Sequence, residues 1–140
     1  MRLNPSFLGV IYALFTTLFA SGAAWLVADA LKDGDGGEVW QAVSANLLMI
    51  HGGASMATLV VLGALFPLHM RLSWRANRNR VSGSLMVTIT GLLIVTAFGL
   101  YYSGSDVLRA STSYLHIGVG LALPILVVVH VLRGRRSRAV

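Results

Sequence analysis

Four histidines, His51, His69, His116 and His130, stand in a chain that has no cysteine. Neutral imidazole is a common ligand for transition metals and for haem iron. His116 and His130 bound a nearly all-apolar run, HIGVGLALPILVVVH, and lie 14 residues apart. At about 100° per residue that is about 40° short of four full helical turns, so both rings leave one helix face. At about 1.5 Å per residue they stand about 21 Å apart along the axis. His51 and His69 lie 18 residues apart, which is about five turns and about 27 Å, and again share a face. Two helices thus each offer two ligands at two depths.

The elements that must position these rings are membrane helices. Of 140 residues, 56% are hydrophobic and 11% charged, too little charge to coat a soluble domain. Residues 3–28, 39–70, 81–105 and 110–132 are long stretches without a formal charge. Each supplies the roughly 20 apolar residues that cross a ~30 Å hydrocarbon core. The pattern predicts one all-α integral membrane domain over residues 1–140, with spans at about 7–28, 43–68, 82–102 and 114–132. The first run is too long for the apolar region of a signal peptide and lacks a good small-residue cleavage site, so a retained span is expected.

The net charge of +6 sorts by loop. Arg2, Arg71, Arg75, Arg78, Arg80, Arg133, Arg135, Arg136 and Arg138 flank the spans on one side, nine of the eleven basic residues. Asp29, Asp33, Asp35, Glu38 and Asp106, all five acids, lie in the other two loops with Lys32 and Arg109. The positive-inside rule then puts both termini in the cytoplasm, in an up-down-up-down four-helix bundle. The basic surplus reads as topology and contact with anionic headgroups, and not as a nucleic-acid site. The acidic glycine-rich turn Asp33-Gly34-Asp35-Gly36-Gly37 lacks the spacing of a calcium loop and reads as a solvated turn.

In that topology helices 2 and 4 run the same way. His51 and His116 fall in their outer halves, His69 and His130 near their inner ends. Each pair can clamp one iron from both sides, an outer haem (His51, His116) and an inner haem (His69, His130). A bis-imidazole iron has no open position, which suits electron transfer. Without cysteine there is no covalent haem attachment through CxxCH and no thiolate cluster. The helix 2 spacing is one turn too long for its partner, and a kink at Pro67 or helix tilt would have to absorb the excess.

Each residue also has a plainer reading. A single intramembrane histidine serves equally as a hydrogen-bonding residue between helices, and His69 and His130 can snorkel to the interface. Thr112 and Ser113 are candidates either to accept the Nδ1–H of His116 or to cap a helix. Arg71, Arg109 and Arg133 are placed to meet haem propionates, or simply lipid. Met56 and Met70 are alternative axial ligands or packing residues. Ser21, Gly22, Ala23 and Ala24 leave room for a neighbouring helix or a flat cofactor. Zinc is disfavoured, since a mononuclear site would have two protein ligands where three or four are usual.

His116 and His130 in a His-x13-His motif, the histidine-bearing helix 2 and Thr90-Gly91-Leu92-Leu93 resemble the small bacterial b-type membrane cytochromes that hold two haems in a four-helix bundle. The two-histidine helix is also similar to one in the cytochrome b subunit of quinol–cytochrome c oxidoreductases. The 18-residue spacing of helix 2 departs from that larger family's pattern. The resemblance implies transmembrane electron transfer in a bacterial inner membrane, between the quinone pool and a periplasmic or membrane redox protein. The size is compatible with a homodimer or with membership in a larger complex. The alternatives are a haem enzyme acting directly on superoxide, quinone or a ferric chelate, and a cofactor-free structural, assembly or transport subunit.

Overall fold

The computed structural model describes residues 4–75 and 80–136, with side chains described for 4–67 and 80–134. It is all-helical: α1 (Pro5–Leu31), α2 (Gly37–Arg75), α3 (Arg80–Tyr102) and α4 (Asp106–Arg136). Each helix contains a segment long and apolar enough to cross a membrane, Pro5–Leu31, Gly37–Pro67, Arg80–Tyr102 and Asp106–Gly134. Four such helices are those of a multi-pass membrane protein and are compatible with a four-helix bundle. The chain divides into two compact units, Met1–Pro67 and Leu68–Val140.

In the first unit, α1 starts where the sequence signals a start. Asn4 caps it, its side chain accepting from the Ser6 amide at 3.1 Å, with Pro5 in the first turn. Proline costs nothing there because that N–H would be unsatisfied anyway. The turn into α2 is closed by backbone bonds from Gly34 to Leu31 and from Gly37 to Gly34. Gly36 takes φ 77°, a left-handed conformation that glycine adopts without a Cβ penalty. A Cβ on Gly37 would run into the Lys32 carbonyl oxygen. Lys32 lies 2.7 Å from Asp29, and the hydrogen bond to that carboxylate holds its ammonium above the ordinary lysine range.

The seam between α1 and α2 is small and partly polar. Ser21 and Ala28 are buried on α1, Ser44, Ala54 and Thr58 on α2. His51 falls in register with the α2 positions, seven residues after Ser44 and three before Ala54. That is the stripe of a 3.5-residue repeat, and small residues along it let the two backbones approach.

In the second unit, α3 and α4 form an antiparallel pair. Gly99 faces Thr112, Thr96 meets His116, Leu93 faces Gly120, and Ser82 meets His130. As the number falls along α3 it rises by nearly the same amount along α4, the mark of antiparallel register. Large apolar side chains point outward instead: Val95 is 67% and Ile125 69% exposed, against 5% for Thr96. That distribution suits a lipid environment, where packing of small residues, and not burial of large ones, joins helices.

Two helix starts differ from the pattern expected from hydropathy. α2 begins at Gly37 and α4 at Asp106, well before residues 43 and 114. Both first turns carry an acid, Glu38 and Asp106, which favours the positive end of the helix dipole. Ser105 adds a cap, its Oγ accepting from the Leu108 amide at 3.4 Å. Apolar content marks where a helix can enter lipid, while polar caps decide where it starts. Thr112 and Ser113 therefore lie inside α4 and cap nothing. Pro67 and Pro124 also lie inside helices. Pro67 does not end α2, although it forfeits the backbone bond to the Gly63 carbonyl. The side chains of His69, Met70 and Arg71 lie outside the described residues.

A Cβ on Gly99 would stand 3.0 Å from the Thr112 methyl, tighter than ordinary van der Waals contact. Gly99→Ala is expected to cost about 1–3 kcal/mol by overpacking. Thr112→Ser removes that methyl and recovers most of the loss. Thermal unfolding of the purified protein in detergent measures both.

Candidate functional site

Each described histidine is held at the same ring nitrogen by the helix beside it. His51 places Nδ1 3.0 Å from the Leu18 carbonyl oxygen and 3.2 Å from Ser21 Oγ. His116 places Nδ1 2.8 Å from Thr96 Oγ1. His130 places Nδ1 3.1 Å from Ser82 Oγ. The three rings are half-buried, while Ser21, Thr96 and Ser82 are buried.

The direction of two of these bonds follows from what the partners do otherwise. A carbonyl oxygen only accepts, so at Leu18 the His51 Nδ1 must carry the hydrogen. Ser21 Oγ lies 2.6 Å from the Thr17 carbonyl and donates its single hydrogen there, leaving a lone pair for His51. Thr96 Oγ1 lies 2.8 Å from the Leu92 carbonyl and 3.1 Å from that of Leu93; with its hydrogen given there, it accepts from His116. A neutral His51 is therefore the Nδ1–H tautomer, and His116 takes the same form when Thr96 donates within α3. This is how a metal-ligating imidazole is commonly oriented: one nitrogen binds and the other donates to a fixed acceptor.

Space around His51 is set by Gly22. A Cβ there would lie 3.1 Å from His51 Cε1 and 3.3 Å from Nδ1. Separately, an open cleft of about 390 Å³ is walled by Thr16, Thr17, Ala20, Ser21 and Ala24 of α1 with Leu47 and Ile50 of α2, and His51 does not line it. One turn along α1 from Ser21, the Trp25 Nε1 is buried and makes no hydrogen bond among the described residues. Among the described residues no three of His, Cys, Asp and Glu gather as a metal site would require.

The remaining expected residues place as follows. Arg109 and Arg133 are exposed, seven residues before His116 and three after His130. Met56 is 72% exposed. His69 and Arg71 have side chains outside the described residues. Thr112, expected as an acceptor for His116, instead lies against Gly99. Thr96 of α3 takes that part, because a residue four positions earlier on the same helix faces the neighbouring helix at a different level. Thr96, Ser82 and the Leu18 carbonyl were not singled out as partners by sequence. A signal for two of them was present: Ser82 and Thr96 are 14 residues apart, the spacing of His116 and His130.

Nitrogen-15 spectra of histidine-labelled full-length protein, recorded on the neutral rings, are expected to show His51 and His116 as Nδ1–H tautomers. Ser21→Ala should leave His51 in that state, because the Leu18 carbonyl still accepts. A switch of His51 to the Nε2–H form in this variant would contradict the assignment. No protein-family model, curated protein or solved structure matches the chain.

Proposed function

We propose that the chain is a membrane b-type cytochrome that carries electrons across the bilayer through two bis-histidine haems. His51 with His116 would hold one iron and His69 with His130 the other, paired by their depth along helices 2 and 4. The observation that supports this most is the 2.8 Å contact of His116 Nδ1 with buried Thr96 Oγ1, on an α4 face shared with His130. The donor set fits the group: three of the four imidazoles, His51, His116 and His130, are held at Nδ1, and the chain has no thiolate. A bound haem supplies a reversible one-electron couple without an open coordination position.

The chain's own residues do the rest. His116 and His130 stand about 21 Å apart along α4, one toward each end of the span. Thr96, Ser82, Ser21 and the Leu18 carbonyl keep the rings from rotating. The buried Trp25 N–H is a donor of the kind a propionate or a quinone carbonyl takes. Arg109 and Arg133 stand at opposite ends of α4 as charge partners for propionates, with Arg71 in the same role beyond α2's apolar segment. The charge asymmetry of the loops supports both termini in the cytoplasm; a bacterial inner membrane, with quinone and a redox protein as exchange partners, is what the resemblance implies. The five acids of the outer loops disfavour the reading as an enzyme that attracts a small anion such as superoxide. The same imidazole–hydroxyl bonds also occur where histidine merely joins helices, and that is the second reading.

A reduced-minus-oxidised spectrum with a pyridine haemochrome count separates the two. Two haem b per chain are expected. His51→Ala and His116→Ala should lose one haem, His69→Ala and His130→Ala the other. One haem per chain would keep the cytochrome and remove the two-centre path. No haem, in folded protein from haem-replete cells, would leave the histidines as helix-joining residues.

A further inference from the structure

The two hydroxyls that hold the α4 histidines belong to one helix and have the histidines' own spacing. Thr96 and Ser82 are 14 residues apart on α3, as His116 and His130 are on α4. In an antiparallel pair, equal spacing means that one register satisfies both bonds together, and a slip of one residue loses both. Gly99 and Thr112 meet one turn beyond the Thr96 bond, at a contact too tight to admit even a methyl without adjustment. That contact helps to set the register.

We infer that α3, which contributes no ligand, is the positioning element of the proposed cytochrome: Thr96 and Ser82 orient His116 and His130 and tune the two irons independently. This rests on the cytochrome reading and extends it to the control of potential. Thr96 is buried, and its Oγ1 reaches the Leu92 and Leu93 carbonyls as well as His116 Nδ1. With its hydrogen given within α3 it presents a lone pair to His116, and polarising the Nδ1–H bond toward it makes Nε2 more basic. A more basic axial ligand favours ferric over ferrous iron. Removing the acceptor should weaken that preference and raise the potential of one haem only. Ser82, 3.1 Å from His130 Nδ1 and about 21 Å along α4, is the corresponding contact for the other haem.

The test is a redox titration of the purified holoprotein, resolved into its two components, for wild type, Thr96→Val, Thr96→Ser and Ser82→Ala. Thr96→Val keeps the side chain's shape without its oxygen and should raise one component; a tenfold loss of ferric preference corresponds to about 59 mV for a one-electron couple. Thr96→Ser should restore the wild-type value. Ser82→Ala should shift the other component and leave the first in place. Unchanged potentials in Thr96→Val and Ser82→Ala, or a Thr96→Ser shift as large as that of Thr96→Val, would overturn the inference. Haem-free wild type would overturn the cytochrome reading itself. Histidine nitrogen-15 spectra then judge Thr96 without haem: movement of His116 toward the Nε2–H form in Thr96→Val supports its role in orienting the ring, and an unchanged tautomer refutes it.

Discussion

Hydrocarbon offers no hydrogen bonds, so every hydroxyl and imidazole carried into it must be satisfied by the chain. Ser and Thr on these helices meet that demand first within their own helix. Ser21 donates to Thr17, Thr58 to Ala54, and Thr96 to Leu92, each to a carbonyl one turn back. A hydroxyl that has given its hydrogen away becomes a pure acceptor. It can then hold an N–H from the next helix but cannot supply one. That single consequence favours the Nδ1–H tautomer at His116 and makes Ser21 compatible with the same state at His51.

These bonds contribute little to holding the helices together. Polar contacts between membrane helices average about 0.6 kcal/mol and reach about 2 at most. A half-buried imidazole left without an acceptor would cost more than that. Cohesion comes instead from close approach along the small-residue seams, Ser21 and Ala28 on α1, Ser44, Ala54 and Thr58 on α2, and Gly99 against Thr112 in the second unit. What the bonds supply is direction. An imidazole on a flexible χ2 has two nitrogens and several orientations, and one short bond at 2.8 Å reduces these to one.

The sequence made the four spans legible because each is a long run without charge, of the length and composition that cross a hydrocarbon core. The helix starts at Gly37 and Asp106 were not legible from hydropathy, since the first turns are polar and lie outside the apolar windows. The shared face of His116 and His130 follows from helical period alone. Their partners do not, because a hydroxyl on α3 becomes the neighbour of a histidine on α4 only once the register is known. The equal spacing of Ser82 and Thr96 was readable as a pattern. Choosing it over Thr112 and Ser113, which sit closer in sequence, needed the antiparallel pairing that the short connection at residues 103–105 imposes.

The two proposed haem ends are not equally constrained. On α4 the ligands are separated by about 21 Å and on helix 2 by about 27 Å of ideal helix. Matching the depths by tilting helix 2 alone would take roughly 39°, at the limit of the 0–40° range seen for membrane helices. A typical tilt of about 20° recovers less than 2 Å of the roughly 6 Å excess. The mismatch accumulates away from whichever pair is aligned first. His51 meets two acceptors on α1 and His116 meets Thr96 on α3. Were the proposed outer haem aligned first, the excess would fall toward His69 and His130, and Pro67, which removes a backbone bond inside α2, would give the helix a place to bend.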